Sequence, residues 1–566
     1  MKMKNIFKSI AIISVFVFAS CDLDGDLTNP NQISVAGADV DLIMNAVQLD
    51  FADFYSNASG AVDQLVRMQA MTGGFRYQTA IQPAGVDLVW TQAYRNILVN
   101  AETLIPLAQG KNLTTHVAVA KILEAYVYLT LVDIFGDVPQ AEALTGSTGN
   151  FNPVADKGDA VYAKAISLLT EARTELAKTG AAAGAVLARD IYYGGSRTKW
   201  NALANSLELK AWMNISTMPS RTAEANARIS ALLLVDLIDT EAENFTYKYG
   251  TVSVPGGSRH PLYDQYYGLN AGQAGGYINN GYLYRVFGKW DPTDAFTFSK
   301  AVQDPRWRYY FYRQIGSNKQ GLAVDPKSLG CSPGAVPAVY QAGGYVFCQF
   351  DPGFYGRDHG DASGTPPDSP VITCAGVYPA GGRIDNTTNS ATSTYATATK
   401  RGDGGNGAGI QPIFMSFFTD YIKAEILAKA GDAAGAKTRL ATAIANSILQ
   451  VRNFATAKGQ TTTKEPDNAK YQAAVATNFD NAARKLDVVS EEYYIALWGN
   501  GIEAYNLYRR TLAPKGLQPG IGDPGPYFRS LVYPAVYANL NANATQKDVT
   551  KINKVFWDTN PDNAIN

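Results

Sequence analysis

The segment from Val117 to Phe135 is apolar on nearly every side, and it limits the fold more than any other stretch of the chain. It carries Lys121, Glu124 and Asp133, so it reads as a helix buried among other protein elements rather than one that crosses a bilayer. Gly136 and Pro139 stop it. Such a helix needs a shell, and the flanking sequence supplies one. Val161, Ala165, Leu169, Ala172 and Leu176 recur at helical spacing, leaving Lys164, Glu171, Arg173 and Lys178 for solvent. Trp200 to Met213 is another helix, with Leu203, Leu207 and Trp212 on related faces. Residues 39–242 are therefore expected to form an N-terminal helical region.

From residue 243 to 410 helical periodicity vanishes, and Gly, Pro, Tyr and Asn recur every few residues. Tyr263, Tyr266, Tyr267, Tyr282, Tyr284, Phe287, Trp290, Trp307, Tyr309 and Tyr310 fall within it, and segments without a fixed structure are poor in such rings. A long irregular stretch that keeps its aromatics reads as a functional insert. Helices return over 411–566. Phe417 to Ala430 and Ala436 to Leu449 flank Gly431-Asp432-Ala433-Ala434-Gly435, an αα-hairpin with a short polar turn. Ser490 to Arg510 reads as one last helix, in which Glu503 with Arg509 or Arg510 is expected to form an internal ion pair.

Charge excludes whole classes of function. Lys+Arg 49 against Asp+Glu 50 leaves a net charge of -1, so no global field draws nucleic acid. The chain has His116, His260 and His359 and no other histidine, none at a metal-ligand spacing, so no metal site and no cofactor are expected. Gly402 to Gly409 is glycine-rich but lacks the lysine of a phosphate cradle. No nucleophile elbow, Cys-His pairing or zinc-protease motif is present, so no enzyme is expected.

Residues 1–20 read as a targeting segment: Lys2, Lys4 and Lys8 precede an apolar run, Ile10 to Phe18, that is too short to span a bilayer. Phe18-Ala19-Ser20-Cys21 resembles a bacterial lipobox, which implies cleavage before Cys21 and acylation of that cysteine. Two or three acyl chains anchor stably, at ~0.8 kcal/mol per buried methylene. Residues 21–38, with Asp22, Asp24 and Asp26, read as an acidic tether. An exported chain meets oxidising conditions, so one disulfide among Cys331, Cys348 and Cys374 is expected, with the pairing open.

Five segments in order resemble the SusD/RagB family of outer-membrane nutrient-binding lipoproteins, in its SusD-like branch. They are Lys121 to Pro139, ending in Phe-Gly-Asp-Val-Pro; Lys199 to Ser216; Thr419 to Ala436; Tyr493 to Thr511; and Lys554 to Pro561. The resemblance implies a mainly α fold, a tetratricopeptide-like helical-repeat scaffold bearing an irregular, aromatic-rich insert. It also implies a place on the cell exterior, over a TonB-dependent SusC-like outer-membrane transporter. It does not extend to ligand identity.

Sugars offer flat C–H faces to aromatic rings and hydroxyls to amides and carboxylates, so a glycan site needs both side by side. Asn279, Asn280, Tyr282 and Tyr284 offer that mixture, as do Trp290 beside Asp291 and Asp304 with Arg306 and Trp307. The insert is expected to line a shallow cleft, with Trp290, Trp307 and Tyr310 foremost and Tyr267 as a further ring. Tyr77 closes a Gly-hinged loop, Met71 to Tyr77, of a kind that lies near the cleft in similar proteins. The bland alternative is that these rings are the insert's own core, because aromatics dominate core packing. The expected function is capture of a nutrient, a glycan foremost, for delivery to the transporter. The rivals are an oligopeptide ligand, a surface glycoside hydrolase whose carboxylate pair is hidden among many acids, and a purely structural lid.

Overall fold

The computed structural model describes residues 38–253, 257–267, 276–287, 302–314, 336–347, 354–362, 372–386 and 399–564. The expectations for the targeting segment 1–20, Cys21, Trp290, Cys331 and Cys348 lie outside the described residues.

The chain is mainly α-helical. Its N-terminal region contains α1 (Val40–Asp63), α2 (Val99–Gly110), α3 (Thr114–Phe135), α4 (Gly158–Ala177), α5 (Arg197–Ile215) and α6 (Thr222–Leu232). Polar side chains start several of them: Asp39 accepts from the backbone of Asp41 and Leu42 at α1, and Ser196 from Lys199 at α5. Every residue of α3 is buried except Lys121, which reaches Glu171 on α4 at 2.6 Å. Helices α2, α4 and α5 pack around it, as an apolar cylinder requires.

The segment after α6 enters through β1 (Phe245–Lys248) and leaves through β4 (Ile410–Phe414), paired antiparallel with Lys248 opposite Ile410 and Phe245 opposite Phe414. This ladder clasps the two ends of the intervening stretch. Between them lie α7 (Pro261–Tyr267), α8 (Asn280–Phe287), α9 (Trp307–Tyr310) and the ladder of β2 (Phe311–Tyr312) with β3 (Cys374–Ala375). Cys374 is a free, buried thiol. Its sulfur accepts from Gln314 Nε2 at 3.2 Å, and burial pushes its pKa up to about 12.

The C-terminal region contains α10 (Ser416–Lys429), α11 (Ala433–Ala457), α12 (Asn468–Asn481), α13 (Lys485–Ala496) and α14 (Gly501–Thr511). The hairpin α10–α11 turns at Gly431, whose φ of +82° suits glycine, and Asp432 caps α11 by accepting from Gly435 N at 2.8 Å. The expected single helix from Ser490 to Arg510 is instead two, α13 and α14. Gly499 adopts φ +91° against Pro379 and Pro412, and the Asn500 side chain caps a new helix, its Oδ1 accepting from Glu503 N at 3.1 Å.

The expected ion pair within that helix is also replaced. Glu503 and Arg510 stand two turns apart, ~10 Å along an axis, too far for contact. Glu503 pairs with Lys210, and Arg510 grips Glu425 through Nε at 2.8 Å and Nη2 at 2.9 Å. Arg509 donates to the backbone carbonyls of Asp133 and Arg529, each at 2.7 Å.

The polar centre of the scaffold is Asp133, fully buried near the end of α3. Its carboxylate accepts from the Tyr162 hydroxyl, from Asn506 Nδ2 at 2.7 Å and from Trp557 Nε1 at 3.0 Å. One group thus ties α3 to α4, to α14 and to the closing segment of the chain. Leaving three buried donors unpaired costs ~1–3 kcal/mol each. Asp133→Ala should therefore lower the unfolding free energy by at least ~3 kcal/mol in urea titration; a loss under ~1 kcal/mol would show that the network is incidental.

Candidate functional site

The described residues singled out from sequence fall mostly in the interior. Asn279 caps α8, accepting from Gly281 N at 2.8 Å, and donates to Gln518 Oε1 at 2.9 Å. Asn280 donates to Asp358 Oδ1 at 3.0 Å and accepts from Gly356 N at 3.0 Å. Both amides stitch the loop at 354–361 to the scaffold. Tyr282 stacks on Trp498, centroids 5.1 Å apart, and its hydroxyl donates to the Ile495 carbonyl. Trp307 is enclosed by Phe287, Phe354 and the guanidinium of Arg313 at 4.6 Å. Tyr310 stacks on Tyr378, and Tyr267 on Tyr263 at 4.5 Å with its hydroxyl donating to the Ala375 carbonyl.

Tyr77 is buried too, its hydroxyl 3.2 Å from His359 Nε2, although Phe75 and Arg76 of the same loop are exposed. Tyr284 is the one described candidate ring with partial exposure. The other described candidate rings are buried, covered by neighbouring side chains such as Tyr263, Phe287, Phe354, Tyr378 and Trp498. Asp304 and Arg306 also lie inside, as an ion pair at 2.6 Å joined by Glu492 and the Tyr471 hydroxyl.

A pocket of about 460 Å³ that none of these residues lines opens where the end of α1 meets the start of α7. Small residues make the space: Ser56, Ser59, Gly60 and Ala61 line it along the last turns of α1. A turn beginning at Pro83, with Val86, Leu88 and Val89, forms one apolar wall. Pro261 and Leu262 at the head of α7 form another, and Gln411 of β4 with Gly499 closes the end.

Polar groups converge on this space. Gln82 donates to the Gln78 and Thr79 carbonyls, and Gln411 donates to the Gly499 carbonyl at 2.8 Å, so both keep a carbonyl oxygen to offer. Among the described residues the side chains of Gln64 and Gln265 make no hydrogen bond, and both line the pocket. Asp63 ends α1 with its Oδ1 covered and lacking a hydrogen-bond partner. Burial raises its pKa to about 7. Its side chain as a whole is half-buried, which moderates that cost. His260 is 3% exposed; its Nδ1 accepts from Leu262 N at 3.1 Å, and burial holds its pKa at about 3, so it is a neutral donor.

Asp63 is the one carboxylate among the described lining residues, whereas a glycosidase needs two. No cluster of three or more metal-ligating side chains occurs among the described residues. The arrangement suits binding: amides, one carboxyl and an apolar wall. Sequence reasoning passed over it. The legible signal was the run Ser56-Asn57-Ala58-Ser59-Gly60-Ala61, unusually small for the face of a long helix.

Residues 30–265 match the family model SusD-like_2, described as "Starch-binding associating with outer membrane". No curated protein matches the chain. Solved structures match its fold over most of its length. One described as a chitin-binding protein is 20% identical with a TM-score of 0.62, covering 93% of this chain and 100% of its own. A SusD/RagB family protein from Bacteroides thetaiotaomicron is 17% identical with a TM-score of 0.62, over 93% and 100%. A chitin-binding SusD homolog from Flavobacterium johnsoniae is 17% identical with a TM-score of 0.60, over 92% and 98%.

The carboxyl of Asp63 has a testable signature. Its pKa in the folded chain lies above the ordinary 3.8, so the stability it contributes is full below that value and is lost as pH rises through about 7. Asp63→Asn escapes that loss. Its stability relative to the wild type should grow by on the order of 1–2 kcal/mol between about pH 5 and about pH 8 in urea titration. A difference that stays flat across this range contradicts the assignment.

Proposed function

We propose that this SusD-like protein captures an oligosaccharide at the cell exterior, in the pocket between α1 and α7, and hands it to a TonB-dependent SusC-like transporter. SusD-like proteins associate with the outer membrane and bind nutrients, and the match to the family model covers the elements that build most of this pocket. The observation that carries the reading is the lining itself: Gln64, Gln82, Gln265 and Gln411 around one carboxyl, beside an apolar wall. Neutral amides both donate to and accept from hydroxyls, which fits an uncharged ligand. Two of the similar structures are described as chitin-binding. An acetamido sugar suits this site, because its amide pairs with glutamine while its methyl meets Leu262 or Val86.

Acylation of Cys21 supplies the anchor in this reading, since no helix among the described residues is long and apolar enough to cross a membrane. Capture needs no bond-breaking chemistry. Binding that is modest and quickly reversed suits a protein that must release its cargo to a transporter.

Titration of the mature, unacylated protein with chito-oligosaccharides and starch fragments tests the site. Gln82→Ala combined with Gln265→Ala should weaken binding about tenfold or more without moving the melting temperature. Unchanged affinity in that variant places the ligand elsewhere. Oligopeptides bound in preference to every glycan would replace the sugar reading with the peptide one. In cells, Cys21→Ser should move the protein from the membrane fraction to the soluble one, and retention would refute the lipid anchor.

A further inference from the structure

A second pocket, of about 490 Å³, sits where α5, α6, α10 and α14 meet the closing segment of the chain, and it shares no lining residue with the first. Lys429 and Arg510 line it. Both hold the same carboxylate: Glu425 Oε1 accepts from Lys429 at 2.8 Å and from Arg510 Nε at 2.8 Å, while Oε2 accepts from Arg510 Nη2 at 2.9 Å. Arg510 Nη1 donates to Asn214 Oδ1 at 2.8 Å. Two cations thus share one anion. The neighbouring ion pair, Lys210 with Glu503, is internally balanced.

We propose that this pocket is an oxyanion site that takes a carboxylate, sulfate or phosphate group against Lys429 and Arg510. Glu425 is fully buried, whereas the Lys429 side chain is 30% exposed and is the route by which the surplus positive charge meets the pocket. Of its three N–H bonds one is engaged by Glu425, and among the described residues the other two have no partner in the chain. Asn226 and Ser230 stand one turn apart on α6, both exposed and both lining the pocket. They supply an amide and a hydroxyl opposite the cations. Thr559 and Asn560 of the closing segment complete the wall and are fixed there, Thr559 by its bond to the Thr217 carbonyl at 2.7 Å.

The electrostatics agree with this geometry. Burial would raise the pKa of Glu425, but Arg510 and Lys429 hold it down at about 2, so at neutral pH the carboxylate is ionised and does not relieve the surplus by gaining a proton. Burial and the charge of Arg510 lower the pKa of Lys429 despite Glu425 beside it. A bound oxyanion supplies the missing negative charge and reverses that depression.

The test is calorimetric titration of the whole mature protein with sodium phosphate, sodium sulfate and sodium glucuronate, at constant ionic strength set with chloride. Saturable binding of at least one is expected. Lys429→Met should weaken it at least tenfold, and Ser230→Asp, an exposed helix position that adds a repelling carboxylate without touching the core, should weaken it likewise. Preference for glucuronate identifies the anion as an acidic sugar, and preference for phosphate or sulfate identifies it as the inorganic ion or its ester. Absence of saturable binding by all three, or binding that both variants leave intact, overturns the proposal. The pocket variant Gln82→Ala with Gln265→Ala, tested in parallel, keeps a failure here distinct from a failure of the sugar site.

Discussion

The carboxylate of Asp133 is buried in the middle of the scaffold with three donors from three different parts of the chain upon it. A buried polar group in such a place is tolerated only when its hydrogen-bonding capacity is met. That requirement brings α4, α14 and the closing segment to one point on α3. Arg509 adds a donor to the backbone carbonyl of the same residue and lies over the rings of Tyr505, at 3.6 Å, and Trp557, at 4.7 Å. Hydrophobic burial of α3 drives the helices together, but apolar contact is indifferent to register. The network around Asp133 makes one arrangement of the N- and C-terminal regions much better than its neighbours.

A second cluster transmits that arrangement to the binding pocket. Tyr55 on α1 and Tyr126 on α3 both direct hydroxyls toward the Ile413 carbonyl, and Tyr55 also reaches Asn500 Oδ1 at 3.2 Å. Asn500 in turn donates to the Pro412 and Ile413 carbonyls of β4 at 2.9 and 3.0 Å. Asn500, which caps the new helix just after the break at Gly499, is thus also the residue that holds β4 against α1. With β4 fixed, Gln411 lines the pocket beside Gly499, where the missing side chain lets Pro379 and Pro412 pack closely against the backbone. The site is built where the scaffold ends and the irregular stretch begins, so its walls are held by elements from both.

Much of this architecture is legible in the sequence because period and punctuation are local properties. The all-apolar run ending at Gly136, the stripe through Val161 and Leu176, and the hairpin at Gly431 each declare themselves within a few turns of chain. The fate of the aromatic rings is not local. Trp307 and Tyr310 have the composition of a glycan platform and of a core alike, and only the partners that fold over them, Phe354 and Tyr378, decide between the two. The same holds for charge: Arg510 looks toward Glu503 in sequence but finds Glu425, 85 positions away, because helices from distant parts of the chain pack side by side. The pocket itself was hidden for a related reason. Its lining is small and polar, and its neutral amides leave no pattern of charge or period to read.

The account turns on where a sugar sits, and a crystal structure of the mature protein soaked with a chito-oligosaccharide asks that directly. The expected result is density between Asp63 and Gln265, with sugar hydroxyls or the acetamido group bonded to Gln82 and Gln411. Density instead on the rings of the 243–410 stretch would contradict it.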